Sequence, residues 1–208
     1  MTPKFRSIIF IFLFLAINGC QNQWNWIDTL PKPWTLTESE VSELLPEFHS
    51  HFPDFHDRLK AFALWQVEKP YEIFKLGEEK EPDTDPIIRL DVSDCTVHVL
   101  TSLAFVQSDS WEDAREKMIH LHYKDHQPNY TTRWHFTSDR ILSHPLTVDM
   151  TKTLLPIEKL ITANVTLNQK GNGEELLELN WKREIEASYI PNDQINEKLL
   201  KKLPNVCG

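Results

Sequence analysis

Cys95 lies where a short polar turn runs into an apolar helix, within Asp91–Phe105. Ser93 and Asp94 are good N-cap residues, which places Cys95 in the first helical turn. The positive end of the helix dipole and nearby backbone N–H groups favour a thiolate there, and the thiolate is the nucleophile in cysteine chemistry. The position therefore suits nucleophilic catalysis. The alternative is a small buried hydrophobe, which is what most free cysteines are.

His135 is the candidate partner for this thiol. It lies in Tyr130–Phe136, a segment rich in β-branched and aromatic residues that predicts a strand. A thiol–imidazole pair is the minimum for cysteine hydrolase chemistry, because the imidazole accepts the thiol proton and later protonates the leaving amine. Backbone N–H groups at the helix start would stabilise the oxyanion. Sequence spacing does not establish that His135 reaches Cys95, and His98, three positions along the same helix, is interpreted as a packing or surface residue.

Other predicted helices must position this site. The capping box Thr37-Glu-Ser-Glu40 predicts a short helix that ends at Leu45. A second helix is predicted from Pro53 to Pro70, with an apolar stripe at helical spacing as its inner face. A capping box at Ser110 begins the predicted helix Trp111–His122. The stripe of the second helix consists of Phe55, Leu59, Phe62, Ala63 and Val67.

The C-terminal part of the chain is less helical. Ile157–Asn168 and Leu176–Ile185 predict two strands of one sheet, joined by a turn at Gly171-Asn-Gly173. Asn192–Lys202 predicts a final helix. The acidic loop Gly77–Pro86 is expected to be solvated surface, as runs of like charge usually are. Helices followed by a hairpin indicate the α+β class.

The N-terminus has the pattern of a targeting segment. Ile8–Ile17 is an unbroken apolar run that follows two basic residues, and it is too short to span a bilayer. Asn18-Gly19-Cys20 resembles the lipobox of bacterial lipoproteins, in which Cys20 would carry the lipid and anchor the protein to a membrane. The alternative is an ordinary secretory signal that is cleaved nearby. The absence of Asp after Cys20 resembles outer-membrane sorting, facing the periplasm. The predicted organisation is a signal peptide at 1–19, a tether at 20–36 and a domain at 37–208.

The charge balance and the cysteine count argue against a nucleic-acid partner and a disulfide scaffold. The chain carries 22 Lys and Arg against 31 Asp and Glu, and nucleic-acid binding needs a basic footprint that this balance lacks. Three cysteines are too few for a disulfide scaffold. Cys95 and Cys207 could pair in an oxidising envelope, which would leave a structural lipoprotein without a nucleophile. No metal and no organic cofactor is implied.

Several motifs occur in an order that resembles the bacterial N-acetylmuramoyl-L-alanine amidase-like family, a branch of the NlpC-type papain-like cysteine hydrolases. No single motif is specific, but the ordered set spans roughly residues 55 to 205. The matching pieces are Arg58–Val67 with Lys69-Pro70-Tyr71 and Leu76-Gly77-Glu78; Ile87–Phe105 around Asp94-Cys95-Thr96; Trp111–Tyr123 with Lys124-Asp125; and Tyr130–Asp139.

The resemblance implies a fold and an activity. The fold would be papain-like (NlpC-type) and α+β, with an N-terminal helical part packed on an antiparallel sheet. The activity would be hydrolysis of the amide between the muramoyl lactyl group and L-alanine in peptidoglycan fragments. Cys95 would be the nucleophile, with Asp94, Tyr130 and Arg133 as substrate-binding residues. Arg133 would act as a carboxylate clamp, because a guanidinium binds carboxylates in a two-pronged geometry. Tyr130 has packing in the sheet as its alternative role.

The chain departs from the family pattern near its C-terminal end. Members of the superfamily usually carry the general base on a strand with a His-Val-Gly-like motif, and Leu199–Gly208 resembles the point just before that segment. One interpretation makes His135 the base. The other is a truncated member, a catalytically impaired peptidoglycan-binding lipoprotein that keeps the cleft, in which His135 contacts substrate.

Overall fold

A computed structural model describes residues 23–201. Contacts divide the chain into two units, the first ending at Arg133 and the second beginning at Trp134. The first unit is helical, and the second holds an antiparallel pair of strands. This combination is the α+β class predicted from the sequence. The predicted signal peptide and Cys20 lie outside the described residues, as does Cys207.

Four α-helices build the first unit, as far as the structure describes it, and short 3-10 turns flank them. The third helix packs against the second and fourth, and the first helix contacts the second and fourth. Phe48, Phe62, Phe105 and Met118 are among the fully buried side chains between them. The helices are α1 (Glu38–His51), α2 (Phe55–Trp65), α3 (Cys95–Phe105) and α4 (Trp111–His122), and the 3-10 turns are Ile27–Thr29, Pro33–Thr35 and Lys124–His126.

Side-chain caps determine where these helices begin, as the sequence predicted. Thr37 and Glu40 form a reciprocal capping box at α1. Asp54 accepts hydrogen bonds from two backbone N–H groups at the start of α2. Ser110 accepts one from Asp113 at the start of α4, with an oxygen–nitrogen distance of 3.1 Å. Each cap depends on only three or four adjacent residues, and such local patterns are visible in a sequence.

The ends of α1 and α2 differ from the prediction. Helix α1 continues through Pro46 to His51, although an internal proline costs about 3 kcal/mol. Phe48 explains the continuation, because it is fully buried against Phe62 and Trp65. Helix α2 ends at Trp65 rather than at Pro70. Its buried face consists of Ala61, Phe62 and Trp65, whereas the predicted inner residues Phe55 and Val67 are 37% and 52% exposed.

Up to residue 201, the second unit contains one hairpin and short helices. Strands β1 (Ile161–Leu167) and β2 (Arg183–Tyr189) pair antiparallel, from Ile161 opposite Tyr189 to Leu167 opposite Arg183. Its α-helices are α5 (Thr137–Ser143), α6 (Thr151–Leu154) and α7 (Glu197–Leu200), with 3-10 turns at Ile157–Lys159 and Asn192–Gln194. No helix within residues 23–201 combines the length and the apolar character that crossing a bilayer requires.

Two predicted strands were misplaced. The second strand of the hairpin begins at Arg183 rather than Leu176, because the Asn168 side chain bonds the Trp181 carbonyl and the Leu177 N–H and so holds the connection as a loop. The predicted strand Tyr130–Phe136 is reduced to a single bridge between Tyr123 and Arg133. Asn129 explains this second difference, because its carbonyl oxygen accepts the N–H groups of Thr132 and Arg133 and forms a turn there.

Candidate active site

Cys95 is the first residue of α3 and carries a free, exposed thiol. Asp94 is the N-cap, and its Oδ1 accepts a hydrogen bond from the Val97 N–H at 2.8 Å. Behind the thiol, α3 buries Val97, Leu100, Ala104 and Phe105 in the core. The predicted helix and its cap are therefore confirmed. A solvent-accessible thiol therefore lies at the start of a helix whose inner face packs in the core.

The segment after Pro70 is fastened beside Cys95. The Ser93 N–H donates to the Pro70 carbonyl at 2.8 Å, and the Glu72 N–H donates to the Ser93 carbonyl at 3.1 Å. The second carboxylate oxygen of Asp94, Oδ2, accepts the Phe74 N–H at 3.1 Å. Asp94, predicted as a substrate contact, thus uses both oxygens to hold this loop and α3 together.

Exposed aromatic side chains line this loop. Tyr71 is 72% exposed and Phe74 is 82% exposed. Phe74 has a φ of +57°, a left-handed conformation that few residues with a side chain adopt and that tends to occur at functional sites. The hydrogen bond to Asp94 maintains that conformation. The loop therefore presents aromatic surface next to the start of α3.

Lys69 lies just before this loop and is held by a buried amide. Its Nζ donates to Gln66 Oε1 at 2.6 Å, and Gln66 Nε2 donates to Ser102 Oγ on α3 at 2.8 Å. Gln66 is only 2% exposed. Burial lowers the pKa of Lys69 to about 8, while Asp91 opposes and Arg89 reinforces that change. Keeping the Lys69 amine protonated at this position therefore costs free energy.

His98 is a second group that the sequence did not identify as functional. It is partly buried one turn after Cys95 on α3, and residues three apart on a helix are neighbours on its surface. Burial first, and then the charge of Lys69, lower the pKa of the His98 imidazole from its ordinary 6.5. The imidazole is therefore neutral at pH 7, which is the form that accepts a proton. The spacing from Cys95 is the sequence signal that could have found it.

Arg133 is engaged inside the protein. It is 8% exposed, and its Nη1 lies 2.9 Å from Asp83 Oδ2. Its Nε forms an ion pair with Glu78 Oε1 at 3.1 Å, without the alignment of a hydrogen bond. The guanidinium also donates to the Leu76 carbonyl. Two carboxylates of the acidic loop thus neutralise the cation that the sequence suggested as a clamp for substrate.

The acidic loop is solvated in part, as its charge run predicted, since Glu79 and Glu81 are exposed, but Glu78 is buried. Glu78 is 3% exposed, and the Arg133 cation explains how a carboxylate is tolerated there. Burial nevertheless raises the pKa of Glu78, and Arg133 only partly opposes this effect. The buried Tyr123 hydroxyl donates to the Gly77 carbonyl at 2.6 Å. A Cβ on Gly77 would lie 2.5 Å from Asp83 Oδ1, so this close packing requires glycine.

Most of the other predicted site residues lie in the first unit. The Arg133 guanidinium stacks 5.2 Å from the ring centre of Tyr130, which is partly buried. Cys95 and Asp94 belong to this unit as well, whereas His135 belongs to the second unit, two residues before α5. Within residues 23–201, no three His, Cys, Asp or Glu side chains are grouped as a metal site would require.

Comparisons with known proteins connect this geometry to a family. Residues 62–206 match the model of a family described as AmiA-like, N-acetylmuramoyl-L-alanine amidase-like. No curated protein gives a significant match. Among solved structures, the chain is similar to a crystal structure of a Legionella pneumophila protein of the family DUF1460. That similarity has a TM-score of 0.61 at 20% identity and covers 81% of this chain and 69% of the other. At this identity it shows a shared fold.

Proposed function

Because the chain belongs to the N-acetylmuramoyl-L-alanine amidase-like family, we propose that it is a cysteine amidase of peptidoglycan fragments in which Cys95 is the nucleophile. The observation that carries the proposal is the free, exposed thiol at the first position of α3. A helix start favours the thiolate and offers backbone N–H groups to an oxyanion. The inner face of α3 is buried in the core, so Cys95 lies on a helix that packing holds in place.

The reaction is an acyl transfer in two steps. The Cys95 thiolate attacks the lactyl carbonyl carbon, a thioester forms, and the bond to the L-alanine nitrogen breaks as that nitrogen takes a proton. Water then attacks the thioester, which releases the lactyl carboxylate and regenerates the thiol. Each step needs a group that accepts a proton and returns it, the role of an imidazole.

Two histidines are proposed for that role. His135 is the candidate taken from the family resemblance. His98 is the second, because it lies one turn after Cys95 on the same helix and is neutral at pH 7. If neither histidine accepts the proton, the alternative function is that of a peptidoglycan-binding protein that does not turn over substrate.

The location proposed for the protein is the bacterial cell envelope, where peptidoglycan is found. We propose a lipid on Cys20 as its anchor, with the protein at the outer membrane and facing the periplasm. The fold proposed for the whole chain is papain-like, of the NlpC type. The family match supports the substrate and the compartment, while the lipobox-like sequence supports the anchor.

A muropeptide assay tests the function. The purified protein is incubated with N-acetylmuramoyl peptides, and released peptide is measured by mass spectrometry. We expect release by the wild type and none by Cys95→Ala. Cys207→Ser is the matched control, because it removes another thiol and also the proposed alternative disulfide. If Cys95→Ala releases as much peptide as the wild type, Cys95 is not the nucleophile. Binding without release by the wild type would support the non-catalytic alternative.

A further inference from the structure

Two arginines of the first unit are already neutralised by carboxylates of the protein. Arg133 is paired with Glu78 and Asp83. Arg89 is bonded to both carboxylate oxygens of Asp91, each at 2.7 Å. The positive charges of these guanidiniums are therefore balanced within the protein, so they attract an anionic ligand only weakly.

Lys69 differs from them. Among the described residues, its ammonium forms no ion pair with a carboxylate, and its hydrogen-bond partner is the neutral amide of Gln66. Gln66 is fixed in turn by Ser102 of α3. The charge of Asp91 acts on Lys69, but both carboxylate oxygens of Asp91 are bonded to Arg89. A bound anion would therefore compensate the lost hydration of this partly buried ammonium.

Lys69 also lies alongside α3, the helix that carries Cys95. The next residue, Pro70, accepts the N–H of Ser93, which precedes Cys95 by two positions. The positive charge of Lys69 also helps to lower the pKa of His98, which lies one turn into α3. An anion held by Lys69 would therefore lie along the first turns of the helix that carries the thiol.

From this arrangement we infer that Lys69 binds a carboxylate of the substrate's peptide, alongside the helix that begins at Cys95. The inference rests on the proposed function, in which the substrate is a muramoyl peptide with free carboxylates. Lys69 then has the role that the sequence suggested for Arg133. The ammonium holds the peptide part of the substrate, while Cys95 acts on the lactyl amide.

Binding of two matched ligands tests this inference. Both are N-acetylmuramoyl-L-alanyl-D-glutamates, but one has its peptide carboxylates free and the other has them converted to carboxamides. Dissociation constants are measured by calorimetry with the full-length Cys95→Ala protein, so that no turnover occurs. We expect the carboxylate ligand to bind about tenfold more tightly or better, since hydrogen bonds to charged groups contribute about 1.5–3 kcal/mol.

Variants of Lys69 then decide the outcome. Lys69→Met should bring the affinity ratio of the two ligands close to one, and Lys69→Arg should retain part of it. Lys117→Met removes a lysine on α4 that pairs with Asp113, and it should leave the ratio unchanged. An undiminished ratio in Lys69→Met overturns the inference. Because the ratio is taken within each variant, a general loss of folded protein cannot imitate the effect.

The same measurements separate this inference from the proposed function. If the wild type releases peptide but the ratio does not depend on Lys69, only the inference fails. If the ratio depends on Lys69 but the wild type releases nothing, the carboxylate site stands and amidase activity fails.

Discussion

Asp94 and Phe74 are joined by a hydrogen bond of 3.1 Å, from the Phe74 N–H to the second carboxylate oxygen of the residue that caps α3. The first carboxylate oxygen accepts the Val97 N–H and so caps α3. One carboxylate therefore sets both the start of α3 and the conformation of the aromatic loop beside it. Cys95 and that loop are coupled through the residue between them.

Asp94→Ala should weaken stability and activity together. Loss of the cap should lower the free energy of unfolding by about 1 kcal/mol. Without its bond to Asp94, the Phe74 backbone should also lose its fixed conformation, and the aromatic loop beside Cys95 should become disordered. Denaturant titration and the peptide-release assay measure the two effects. Asp54→Ala is the matched control, because Asp54 caps α2 without contacting the loop. It should lower stability and leave the specific activity of folded protein unchanged. Equal activity losses in the two variants would argue against the coupling.

Arg133→Met should mainly destabilise the protein. It leaves Glu78 buried without its cation, and breaking a buried pair in this way costs about 3–5 kcal/mol. The double variant Arg133→Met with Glu78→Gln should recover part of the loss, because no charge remains buried at that position. Chemical denaturation of the three proteins measures this. Were Arg133 a substrate clamp instead, the single variant would raise KM and leave the free energy of unfolding unchanged.

Lys69→Met should stabilise the protein at pH 7. The folded-state pKa of about 8 is below the ordinary value of 10.5, so below pH 8 the folded protein carries the full cost of a desolvated charge. We expect a gain of about 1–2 kcal/mol, less than the shift alone implies because solvent reaches the group. The unfolded chain retains its proton between pH 8 and 10.5 while the folded protein loses it, so wild-type stability rises across that range. The advantage of Lys69→Met should shrink there, and a constant advantage up to pH 10.5 would contradict the assignment.

The two histidines can be distinguished by their effects on thiol reactivity. Replacing the histidine that accepts the Cys95 proton by alanine should lower kcat/KM about 10²–10⁴-fold. It should also shift the pH profile for alkylation of Cys95 by iodoacetamide, an effect that a histidine contacting only substrate would not produce. His98→Ala and His135→Ala are compared in both assays. If neither variant lowers kcat/KM or shifts the alkylation profile, neither His98 nor His135 is the acceptor.

The sequence predicted the local features of the site and missed the long-range ones. Asp94 could be recognised as a cap, because its bond to Val97 joins residues three apart. Glu78 and its partner Arg133 are 55 positions apart in the chain. The sequence therefore could not show that Glu78, within a run of acidic residues, is buried against a cation. Phe48 was missed for a related reason, since its burial against Phe62 and Trp65 outweighs the unfavourable Pro46. His98 could have been found from its spacing to Cys95, whereas Lys69 becomes notable only through its contact with Gln66, which bonds Ser102 of α3.

The position of Arg133 has a consequence for the smallest piece of the first unit that can fold. It is the last residue of that unit, yet the two carboxylates that it neutralises lie about fifty residues earlier. A chain that ended before Arg133 would have no cation to pair with Glu78, and burying that carboxylate alone is costly. The packing around Glu78 therefore depends on the final residue of the unit.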